Sequence, residues 1–152
     1  MKMARGLIIT IIMLFLVIAI AVLAYPVQPR EVSSPQDRIG EHQIHVYSDR
    51  IVIEVDGASW ARYQDSNSMD PVLDMGANGI ELVPRNEDEI HVGDIVAYES
   101  KYVSGLTVHR VVEISYDDEG KYFILQGDNA PRADPGKVRF DQIQYVLIGI
   151  IY

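Results

Sequence analysis

Three stretches of the chain carry side chains capable of covalent chemistry. Residues 66–71 read SNSMDP, residues 107–112 TVHRVV and residues 127–136 GDNAPRADPG. A serine hydroxyl is a weak nucleophile unless a neighbouring base takes its proton. Histidine suits that task, because its unperturbed pKa lies near about 6.5 and the neutral ring can accept a proton. A carboxylate bonded to the other ring nitrogen would fix the tautomer and stabilise the imidazolium formed in the reaction. These are the side-chain types that acyl transfer requires.

The candidates are few. The chain has four histidines and no cysteine, which removes thiol nucleophiles, thiolate metal sites and disulfides. His42 and His45 fall in an expected strand on opposite faces, which argues against a shared metal site. His91 sits in the polar stretch RNEDEIHVGD and reads as a solvated loop residue. His109 stands in the middle of a strongly apolar strand run, on the face of Thr107 and Val111. Taken alone it is a core or edge histidine with one hydrogen bond. Asp128 and Asp134 stand in a stretch whose backbone Pro131 and Pro135 limit, and which also reads as an ordinary turn. Either carboxylate could serve as the partner of the ring.

Other elements must hold these groups. Period-two alternation runs through QIHVYS, RIVIEVDG, GIELVP, DIVAYES, LTVHRVVEIS, KYFILQGD and IQYVLIGIIY. Val, Ile, Tyr and Phe crowd these runs, as suits a pleated, half-buried surface. YDDEGKY between two of them predicts a hairpin with Gly120 in the strained position. The expected class is all-β, with antiparallel sheets in a Greek-key or barrel-like arrangement. Pro71 fixes its own φ and restricts Asp70, and Met69 is expected to pack beneath, so that Ser68 is held at the end of a strand.

The N-terminus is of another kind. Leu7 to Ala24 carries no charge and only Thr10 is clearly polar. A helix of that length spans about 27 Å, close to the hydrocarbon core of about 30 Å. Lys2 and Arg5 precede it, which places residues 1–5 in the cytoplasm and the rest outside. A cleaved signal peptide is the competing reading, though its apolar region is ordinarily shorter. The expected organisation is a transmembrane helix over 6–25, a Pro/Ser-rich linker over 26–38 and an extracytoplasmic domain over 39–152. All 22 acidic residues lie beyond the apolar segment, and so strong an acidic balance excludes general attraction to nucleic acid or anionic lipid.

SNSMDP, then GDIVAY, then VHRVVEI, then QGDNAPRAD, in that order behind an apolar anchor, resembles the type I signal peptidases. These are membrane-anchored serine proteases that remove signal peptides from exported proteins. The similarity is to the archaeal and endoplasmic-reticulum type, in which histidine replaces the lysine base, and it covers roughly residues 60–150. Carried over position by position, the resemblance implies Ser68 as nucleophile and His109 as general base. It implies Asp134 as the essential aspartate, Asp128 as a supporting one, and Ser66 as a donor to the oxyanion together with the Ser68 backbone. Asn67 stands where glycine is common, Ala130 where a second asparagine is frequent, and DMGANGIELVP replaces the usual Gly-Asp turn.

The resemblance implies no cofactor and no metal. Its substrates are signal-peptide-bearing precursors with small residues at the first and third positions before the cut. Its partners are the bilayer and components of a secretion channel. Three other readings stay open at this point. One is a self-processing repressor-type serine protease, although such proteins ordinarily use a lysine base. Another is an inactive membrane-tethered β-domain for binding or assembly. The last is a member restricted to a narrow class of precursor.

Overall fold

The computed structural model describes residues 11–18 and 31–152 of the chain. Residues 11–18 are helical, and the rest of the expected 6–25 span lies outside the described residues. Among the described residues no helix is long and apolar enough to cross a membrane. Val32–Tyr152 forms a compact unit of its own.

This unit is mostly β, with little helix. Its strands are β1 (Ile44–Val46), β2 (Ile51–Ile53), β3 (Ser59–Arg62), β4 (Asn78–Leu82), β5 (Ile95–Glu99), β6 (Leu106–Asp117), β7 (Gly120–Gln126) and β8 (Ile143–Ile151). β1 and β2 pair as a separate antiparallel hairpin. The other strands form one antiparallel sheet of order β3-β4-β8-β5-β6-β7. Each run of alternating residues named above contains one strand. β3 is additional, since Ser-Trp-Ala-Arg carries too short an alternation to announce itself. His42 lies in a 3-10 turn (Glu41–Gln43) rather than in the strand expected for it. The β6–β7 turn brings Asp117 opposite Gly120, whose φ of 107° is open to glycine and costly for other residues.

Two apolar clusters hold the sheet. The larger gathers Val96, Tyr98, Val111, Phe123, Leu125, Val138 and Val146 with their neighbours. Phe123 is fully buried, and its truncation to Ala would cost about 3–5 kcal/mol. The smaller cluster, of Met69, Leu73, Ala77, Ile95 and Leu147, lies beneath the 66–71 loop. That loop is therefore seated on the core by its own side chains, Met69 above all.

Residues 32–38, within the stretch expected as linker, are bonded into the compact unit. Gln36 N–H donates to Asp94 Oδ1 at 2.9 Å and Arg38 Nη2 to Asp94 Oδ2 at 2.6 Å. Asp94 is fully buried, so a charged, multiply bonded partner is what its burial requires.

Candidate active site

Ser68 lies in the loop between β3 and β4, not at a strand end, directly before a turn closed by Val72 N–H and Leu73 N–H donating to the Met69 carbonyl. Met69 fills the smaller core at 3 % exposure, as its apolar side chain predicts. Asn67 has φ 55°, in the left-handed region that glycine and asparagine occupy most readily. The departure from glycine at this position therefore keeps the backbone conformation that glycine would supply. The Ser68 hydroxyl is bonded to that of Ser66 at 3.1 Å, so the two serines form a pair at the surface of the loop.

His109 sits on β6, opposite Val96 of β5, and is 9 % exposed. Its Nδ1 lies 2.6 Å from Asp134 Oδ2, and Tyr98 Oη donates to the same oxygen at 2.8 Å. With Asp134 ionised, Nδ1 carries the proton and Nε2 is left as the basic nitrogen. Burial, reinforced by the bond to Asp134, holds the Tyr98 hydroxyl well above its ordinary pKa, so it remains a donor. Asp134 is itself fixed by its N–H, which bonds the Leu125 carbonyl at 2.8 Å.

Gly127 brings the serine and the histidine together. A Cβ at this glycine would lie 2.4 Å from the Ser68 carbonyl oxygen and 3.1 Å from His109 Nε2. The Ser68 carbonyl oxygen and His109 Nε2 are thus no farther apart than the sum of those distances, and only a residue without a side chain fits between them. Asn129 completes the clamp. Its N–H donates to the Ser68 carbonyl at 3.0 Å and its side chain to the Asn67 carbonyl at 2.9 Å.

Asp128 does not touch the imidazole. It takes both arms of Arg110, at 2.7 Å from Nε and 2.6 Å from Nη2, in a bidentate pair that is almost fully buried. Sequence reasoning passed over Arg110 and Tyr98. The signal for Arg110 was a charge set among valines in a strand, which demands a buried partner. The signal for Tyr98 was a strand tyrosine, whose hydroxyl needs a partner wherever the ring is buried.

The other histidines lie elsewhere. His45 faces Glu54 at 3.5 Å on the β1–β2 hairpin, and His91 Nδ1 lies 3.2 Å from the Glu89 carbonyl. Among the described residues no group of three or more His, Asp or Glu side chains is placed to hold a metal ion. Beside the site, Leu106–Arg110 pair with β5 along one edge, while the β7 register runs out at Gln126 opposite Arg110. The other edge of β6 over Leu106–His109 is free of β7.

No protein-family model, curated protein or solved structure matches the chain.

Proposed function

We propose that the chain is a membrane-bound serine endopeptidase of the signal-peptidase type, with Ser68 as nucleophile, His109 as general base and Asp134 as its orienting carboxylate. The observation that carries this reading is the bond of 2.6 Å between His109 Nδ1 and Asp134, with the opposite ring nitrogen and Ser68 both packed against Gly127. A structural histidine needs neither a half-buried carboxylate on one nitrogen nor a serine loop clamped beside the other. The finer fold expectation, a signal-peptidase-like catalytic domain behind an N-terminal anchor, belongs to the same proposal. The apolar run from Leu7 to Ala24 supports the anchor.

Ser68 Oγ attacks the scissile carbonyl carbon as its proton passes to His109 Nε2. The carbonyl oxygen becomes an oxyanion, for which the Ser66 hydroxyl and the Ser68 N–H are the nearby donors. Collapse breaks the C–N bond and His109 gives the proton to the departing amine. Water then attacks the acyl ester, again through His109, and restores Ser68. Each oxyanion donor of this kind is worth about 3 kcal/mol in the transition state. A substrate strand with small residues near the cut could add along the free β6 edge, through main-chain hydrogen bonds.

The test uses the full chain in detergent and a precursor carrying a signal peptide. Wild type should cut one bond after a small residue, and Ser68→Ala should cut none while keeping the wild-type circular dichroism. Wild-type activity in folded Ser68→Ala would overturn the assignment.

A further inference from the structure

Arg110 joins three parts of the unit. Its Nε and Nη2 hold Asp128. Its Nη1 donates to the Gly93 carbonyl at 2.7 Å and to the Ser33 carbonyl at 3.3 Å. Ser33 belongs to residues 32–38, which also bond Asp94 through Gln36 N–H and Arg38. Gly93 is where this segment crosses closest, since a Cβ there would lie 2.1 Å from the Ser34 carbonyl oxygen. Gly93 and Asp94 are in turn bonded to Val111 through Gly93 N–H and Val111 N–H, each at 2.8 Å. The segment is thus fastened to β6 at the residues that follow His109.

The route continues on the other side of Arg110. Asp128 stands between Gly127, which separates Ser68 from His109, and Asn129, whose N–H holds the Ser68 carbonyl. Asp128 N–H also approaches Met69 Sδ at 3.4 Å. A shift in the Arg110 guanidinium therefore moves the clamp on the nucleophile loop, while His109 stays on its own strand. Rigid planar geometry makes arginine suited to this, because its donors are fixed relative to one another.

We propose that residues 32–38 form a positioning strap: docked on Asp94 and Arg110, they hold the 127–129 loop so that Ser68 stays in register with His109. This rests on the peptidase reading for its catalytic consequence, though not for its structural one. Arg38, Asp94 and Arg110 are positioning residues in this scheme, acting on Ser68 through the loop.

The test replaces Val32–Arg38 in the full, detergent-solubilised chain by seven Gly and Ser residues. A second variant, Arg38→Lys, keeps the charge beside Asp94 and loses the guanidinium. Amide hydrogen exchange at Asn129 reads the clamp directly, and kcat and KM on a precursor read its consequence. The strap replacement should exchange Asn129 about tenfold faster or more. Its kcat should fall about 10- to 100-fold with KM within about twofold, as expected for a small misplacement of a reacting group. Arg38→Lys should move both readouts in the same direction by less, and it decides the matter if the replacement does not fold. Unchanged Asn129 exchange overturns the proposal, whatever happens to activity. Faster exchange with unchanged kcat overturns the positioning role. Should wild type itself cleave no precursor, the peptidase reading falls, and Asn129 exchange still decides whether the strap holds the loop.

Discussion

Replacing Asp134 by Asn should remove one charge from beside the ring and little else. Both donors that reach this side chain, His109 Nδ1 at 2.6 Å and Tyr98 Oη at 2.8 Å, converge on Oδ2. An asparagine with its carbonyl oxygen in that place accepts both, whereas its amide nitrogen there would face two donors. Tyr98 thus holds the amide in the orientation that keeps the proton on Nδ1 and leaves Nε2 free. What is lost is the attraction between the carboxylate and the imidazolium of the transition state. With charges about 4 Å apart and an effective dielectric of about 20, that is about 4 kcal/mol. At 1.36 kcal/mol per tenfold it amounts to a loss of about a thousandfold in kcat. In the double variant Tyr98→Phe/Asp134→Asn the amide can turn its nitrogen toward the ring, which puts the proton on the wrong nitrogen. The double loss should then exceed the product of the two single losses. The assay is kcat and KM for precursor cleavage by the full chain, with circular dichroism to confirm the fold. A loss below tenfold in Asp134→Asn, or a double variant that merely multiplies the singles, would refute this reasoning.

Further outcomes follow from the same geometry. Gly127→Ala should abolish cleavage, because the added carbon meets the Ser68 carbonyl and His109 Nε2 at 2.4 and 3.1 Å, and a precursor assay at equal folded concentration checks it. Asn67→Gly should keep activity, while Asn67→Ala should lose about 1 kcal/mol in urea unfolding, since φ is 55° there. Asp128→Ala leaves Arg110 buried without its partner and should cost about 3–5 kcal/mol in urea unfolding. Its kcat per folded molecule should fall less than that of Asp134→Ala. Glu81→Gln should change how stability depends on pH. Burial raises the Glu81 carboxyl above 4.5, against the opposing bond from Tyr63. A raised carboxyl stabilises the fold fully below its unfolded value and loses that contribution as pH climbs through the folded one. Wild type should therefore weaken from pH 5 toward pH 8 relative to Glu81→Gln, which stays neutral and still accepts from Tyr63. Urea midpoints at the two pH values measure the difference.

The strands were legible because alternating Val, Ile, Tyr and Phe mark half-buried edges, and β5 to β8 carry long runs of them. β3 was not, because four residues with one tryptophan hold little pattern. The pairing of His109 with a carboxylate was legible only as a choice between Asp128 and Asp134 until the resemblance favoured Asp134. In the structure Nδ1 bonds Asp134, and Asp128 turns toward Arg110. Residues 32–38 read as linker as part of a stretch with three prolines over 25–36 and the serines Ser33 and Ser34. What ties them down is largely backbone, the Ser33 carbonyl and the Gln36 N–H, and main-chain groups leave no mark in a sequence. The clamp on the Ser68 carbonyl was hidden for a similar reason, since it depends on Asn129 closing from a distant loop.

The covalent step itself offers the most direct measurement. An acid-quenched reaction of the full chain with an activated ester of a signal-peptide fragment, digested and analysed by mass spectrometry, locates any acyl group. The acyl group is predicted on Ser68, absent from Ser68→Ala, and slowed in its formation by His109→Ala. Acylation at Ser66, or precursor cleavage that persists without Ser68, would contradict the assignment of the nucleophile and the mechanism built on it.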